Sequence, residues 1–154
     1  MKALILKAIF ALAPVLSLET AERYANDIVL AAEGDLEMAA ALVATAEGES
    51  HFRAVIERCE CQAWECDRGT DGKIRALGLF QIQYYWWGKH DPKEICADNT
   101  LAAVLAAREL TYLQKRFGWE RALRYHIGGS ATDEQVRPRL LRFEQLLREW
   151  REDA

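Results

Sequence analysis

One mainly helical domain with a small irregular lobe is the architecture the sequence predicts, on three observations. Alanine- and leucine-rich stretches with helical apolar spacing fill most of the chain. Residues 57–75 break that pattern with cysteines, glycines and charge. Finally, 154 residues with only three prolines, no internal repeat and no low-complexity linker make a single unit, large enough to bury a real core. The composition, 51% hydrophobic and 29% charged, is that of a globular protein.

The elements follow in order. MKALILKAIFALAPVLSLE pairs Lys2 with an apolar stretch, and two readings of residues 1–16 stand. One is a signal- or anchor-like segment, although Lys7 interrupts it and it is too short to span a bilayer comfortably. The other is a first amphipathic helix that packs Leu4, Ala8, Leu12 and Val15 on the body. Ser17 or Glu19 starts a helix to about Glu33, stopped by Gly34. Asp35 caps the next, through DLEMAAALVATAEGES, with Leu36, Ala39, Val43 and Ala46 on one stripe. Residues 57–75 are expected to form a long loop or an irregular β-like excursion, and a loop that long in a small domain is usually functional. After the apolar and aromatic ALGLFQIQYYWW come a helix from Asn99 to about Phe117 and a short helix WERALRYHI ending at Gly128-Gly129. Thr132 and Gln135 then form a capping box for a last helix bearing Leu140, Phe143, Leu147 and Trp150.

The formal net charge of −4 argues against nucleic acid as a partner. The excess is local: residues 1–49 hold three Lys/Arg against eight Asp/Glu, and the remainder is about neutral. Cys59, Cys61 and Cys66 cluster, with Cys96 apart. A Cys59–Cys61 bridge is disfavoured because disulfides need Cα atoms roughly 4.4–6.8 Å apart in specific orientations. The favoured pairing joins Cys96 to one cluster member and closes a short loop with the other two, which implies an oxidising compartment. A four-thiolate zinc site and free thiols are the alternatives, though the spacing offers only one C-x2–4-C pair. No cofactor is called for: His51, His90 and His126 are scattered, and no phosphate-cradling glycine loop is present.

The stretch ATAEGESHFR, residues 44–53, ends an alanine-rich helix with Glu47 and Glu49. At about 100° per residue the two fall on opposite borders of the apolar stripe, so periodicity does not choose between them. Glu49-Ser50 with Phe52, then Gly78-Leu79-Phe80-Gln81-Ile82, then Tyr125-His126-Ile127-Gly128 occur in that order. Over residues 36–130 this resembles the lysozyme-like superfamily of soluble lytic transglycosylases and goose-type lysozymes. There a helix ends in Glu-Ser with the catalytic glutamate, a G-L-M-Q-I/V stretch lines the cleft, and a Y-N-x-G motif follows. Phe80 stands in place of the common methionine and His126 in place of the usual asparagine.

The resemblance implies a lysozyme-like α+β fold, its helical core and disulfide-bearing lobe flanking a glycan cleft. It implies cleavage of the MurNAc–GlcNAc β-1,4 bond of peptidoglycan, with Glu49 as the general acid and Glu47 as a helix-end charge. Such an acid needs an apolar, partly dehydrated setting to keep its proton. Ser50, Gln81, Ile82, Tyr125 and His126 become candidate substrate contacts, Tyr125 also as a hydrogen-bonding neighbour of Glu49. Of the aromatic run 84–87, one or two rings, Tyr84 among them, are expected to face sugar and the rest to be buried. A hydrolase needs a second carboxylate about 6.5–9.5 Å away to activate water; Asp67, in a segment like the goose-type G-D-R-G, is the candidate and Asp71 a weaker one. A lytic transglycosylase needs none. The partners implied are peptidoglycan strands, with no stable membrane span, in a periplasmic or extracellular, even phage-encoded, protein. Two further readings stand: a non-catalytic glycan-binding or assembly module, favoured by the altered Tyr125-His126 motif, and a chitin-cleaving relative.

Overall fold

The computed structural model describes residues 1–61 and 75–153, with Tyr84 and Trp87 described by backbone alone. The helices are α1 (Lys2–Leu12), α2 (Leu18–Ala32), α3 (Leu36–Ser50), α4 (Ala54–Glu57), α5 (Tyr84–Trp87), α6 (Pro92–Ala97), α7 (Asn99–Phe117), α8 (Trp119–Ile127) and α9 (Asp133–Glu152). Strands β1 (Ala76–Leu77) and β2 (Ile82–Gln83) pair antiparallel, Ala76 opposite Gln83 and Leu77 opposite Ile82. The expected mainly helical architecture is therefore present, with a small two-stranded sheet and a disulfide.

Helix α3 is the axis of the molecule. Every residue from Met38 to Ala46 is buried, so the helix is apolar all round rather than striped as expected. Five alanines in that span let α1, α2, α7 and α9 approach on several sides. Its start is fixed by Asp35, whose carboxylate accepts from the Glu37 and Met38 amides. Glu33 in the left-handed conformation followed by Gly34 at φ 90° ends α2, as the glycine predicts.

Helix α1 packs against α2 and α3 through Ile5, Ala8 and Ile9. Val15 departs from expectation: the helix stops at Leu12, so Val15 lies beyond it and is almost fully exposed. In α7 the inward face is centred on Ala102, Ala103, Ala106 and Leu110, with Leu101 and Val104 only half-buried. Gln135 accepts from the Thr132 amide at 2.9 Å, which supplies the expected capping box of α9. Among the described residues, no helix is long and apolar enough to cross a membrane.

The expected disulfide to Cys96 comes from Cys59, with Cα atoms 5.5 Å apart, and Cys61 is disulfide-bonded as well. The first bridge ties Cys59, just after α4, to α6; residues 62–74, most of the expected 57–75 loop, lie outside the described residues. Beside the bridge, the buried Glu57 of α4 accepts from the Tyr24 hydroxyl at 2.7 Å and from Nη1 and Nη2 of Arg23, which fastens α4 to α2.

Candidate functional site

Two helix ends and one turn build the site around Glu49. Helix α3 stops abruptly because His51 and Phe52 are both left-handed, at φ 49° and 56°. For a bulky buried residue such as Phe52 that conformation is costly and must be held by its surroundings. Ser50 does the holding: its hydroxyl donates to the Ala46 carbonyl at 2.7 Å and accepts from the Phe52 amide at 3.2 Å. Ser50 is fully buried, so the substrate contact expected of it gives way to a splice that leaves Glu49 in the last turn.

The two glutamates of 44–53 each take one arginine from α9. Arg142 grips Glu47 with two of its three nitrogens, Nε to Oε2 at 2.9 Å and Nη2 to Oε1 at 3.1 Å. Arg139 reaches Glu49 differently: its Nη2 lies 2.7 Å from Oε1. Exposure hardly separates the two carboxylates, at 24% for Glu47 and 19% for Glu49. What separates them is how they are held: Arg142 takes both oxygens of Glu47, whereas Arg139 meets Glu49 at Oε1. Arg139 is itself buried, and its Nε and Nη1 find no hydrogen bond among the described residues. Room for it comes from Gly48, since a Cβ there would stand 2.8 Å from both Nε and Nη2.

Behind this pair lies a second. His126, fully buried, places Nε2 2.7 Å from the Phe80 carbonyl oxygen and Nδ1 3.2 Å from Oε1 of Glu109 on α7. Burial by itself would lower the His126 pKa. The adjoining Glu109 carboxylate, helped by Glu49, outweighs it and raises the pKa above the usual histidine value, with Arg139 acting in the opposite sense. Phe80 belongs to the turn 78–81 between the strands. There Gly78 is at φ 71° and Gln81 at φ 48°, and both the Gln81 amide and its side-chain nitrogen donate to the Gly78 carbonyl.

Several expected substrate contacts are therefore buried supports. Gln81 closes its own turn, Ile82 is fully buried, and His126 points inward. Tyr125 is half-exposed with its ring 4.9 Å from Phe117, and among the described residues no hydrogen bond joins it to Glu49. Of the aromatic run, Tyr85 is exposed, and Trp86 sits edge-on between Tyr85 and Tyr112 of α7. Asp67 and Asp71 lie outside the described residues, as does the Tyr84 side chain. A groove of about 340 Å³ between the end of α3 and α9 is lined by Glu47, His51 and Arg142 but not by Glu49; its Glu47–Arg142 charges are already mutually satisfied.

Arg139, Glu109 and Gly48 escaped the sequence reading. The first two carried a signal, because each is a lone charge on an apolar helix face: Arg139 lies between Val136 and Phe143, and Glu109 between Ala106 and Leu113. Among the described residues no cluster of His, Cys, Asp or Glu has the arrangement of a metal site. Compared with known families, curated proteins and solved structures, the chain matches none.

Proposed function

We propose that the protein cleaves the MurNAc–GlcNAc β-1,4 bond of peptidoglycan, with Glu49 as proton donor to the leaving oxygen, on a lysozyme-like fold. The observation that carries this reading is a partly exposed carboxyl group at a helix end whose Oε1 is held by a buried arginine. A proton donor must be fixed in place and still reach its acceptor, and a carboxyl anchored by one oxygen does both. The order of the Glu49-Ser50, 78–82 and 125–128 motifs supplies the substrate class. In that chemistry the donated proton goes to the glycosidic oxygen as the bond to the anomeric carbon breaks. The carbon is then captured either by the muramic 6-hydroxyl, whose proton passes to the Glu49 carboxylate as the 1,6-anhydro ring closes, or by water, which gives its proton to Asp67 as the candidate base.

One observation favours a non-catalytic glycan-binding role instead: the Arg139 guanidinium beside Glu49 is not the apolar setting expected around a proton donor. Mass spectrometry of muropeptides released from purified cell wall separates the readings. Cleavage gives soluble fragments, and products lighter by one water mark anhydro formation while hydrated ones mark hydrolysis. Wall that sediments with bound protein and releases nothing, even at high protein concentration, contradicts an enzyme and supports the binding module.

A further inference from the structure

We propose that His126 is a positioning residue for the Glu49 site: protonated on both ring nitrogens, it clamps the 78–81 turn to Glu109 through one hydrogen bond and one ion pair, and sets a buried cation behind Glu49. The kinetic part of this rests on the peptidoglycan-cleaving reading above; the state of the ring does not.

The geometry leaves few arrangements. A carbonyl oxygen only accepts, so the 2.7 Å contact to Phe80 requires a proton on Nε2. The other nitrogen faces the carboxyl group of Glu109, only 1% exposed, at 3.2 Å, a charge contact without hydrogen-bond alignment. One proton must then lie between Nδ1 and Glu109, because removing it leaves a carboxylate buried without a charge partner, a costly state. The charged groups around the ring come from three helices: Glu109 of α7, Glu49 of α3 and Arg139 of α9. Two carboxylates against one guanidinium favour the proton on the imidazole, in line with the raised pKa. The alternation Glu109, His126, Arg139, Glu49 thus joins α7, α8, α9 and α3 behind the candidate carboxyl.

The consequence for stability has a definite sign. With the folded pKa above the unfolded one, the stabilisation is complete below the ordinary histidine value and is lost as pH rises through the folded pKa. For catalysis, releasing the Phe80 carbonyl loosens the turn and withdraws the charge, and misplacing a reacting group can cost about 100-fold in rate.

The test is a pH titration of the imidazole nitrogens by NMR in 15N-labelled protein, with a free histidine peptide as reference. The expected result is a His126 ring doubly protonated at neutral pH that titrates above the reference peptide. In Glu109→Gln, which keeps size and polarity but removes the charge, the midpoint should move down. A neutral tautomer in the wild type, or a titration unmoved by Glu109→Gln, overturns the clamp whether or not the protein lyses cell wall. Where it does, the alkaline limb of the lysis profile should follow the His126 midpoint and shift with it in Glu109→Gln. A limb indifferent to that shift overturns the positioning role and leaves Glu49 as proton donor untouched.

Discussion

Glycine in the last turns of a helix costs about 1 kcal/mol relative to alanine, yet Gly48 stands between the two glutamates of α3. The close approach of the Arg139 guanidinium accounts for it. The guanidinium ends a flexible side chain and can swing away from an added methyl, but only by giving up Glu49. Gly48→Ala should therefore leave unfolding in urea within about 1 kcal/mol of the wild type while cell-wall lysis falls by up to about 100-fold. Full lysis by this variant would show that Arg139 does not position Glu49. Ser50 has a comparable local cause, since its hydroxyl splices the helix to the two left-handed residues after it. The Glu-Ser pairing at this helix end is thus accounted for by backbone geometry, with no substrate contact required.

At the scale of elements, local chemistry made most helices legible. Ser17 and Asp35 cap as oxygen acceptors must, Gly34 ends α2, and Gly118 and Gly128 bracket α8. Signals for α6 were present too, with Asp91 capping and Pro92 in the first turn, but six residues are too few to show a periodicity. What could not be read was pairing across the chain. That Arg139 meets Glu49, or that Glu109 meets His126, depends on how α7 and α9 rotate about α3, and no spacing within one helix records that. Four consecutive aromatics likewise hide which ring turns outward until α5 is laid against Tyr112. The disulfide is the exception, because few cysteines leave few pairings. The Cys59–Cys96 bridge spans a sequence separation of 37 residues, and removing it as Cys59→Ser with Cys96→Ser should cost about 2–4 kcal/mol. An unchanged urea midpoint in the double variant would mean that α4 and α6 keep their places without it.

In the molecule as a whole, a buried alanine-rich helix surrounded by α1, α2, α7 and α9 carries its candidate carboxylate at its C-terminal end. The turn 78–81, tied down through His126, and the disulfide-anchored residues 59–61 flank the same core. Trp119 and Arg151 both bind the Glu37 carboxylate, each at 2.8 Å, and so bind α8 and α9 to the opposite end of α3. Long-range charge adds little, since most of the acidic excess lies in residues 1–49. Attraction of a wall polymer would therefore fall to contacts at short range. The central claim, that Glu49 and not Glu47 donates the proton, is decided most directly by rates of cell-wall lysis for Glu49→Gln and Glu47→Gln, each confirmed folded. Loss of lysis in the first, with most of it kept in the second, is the predicted result; equal loss in both, or none in either, would contradict it.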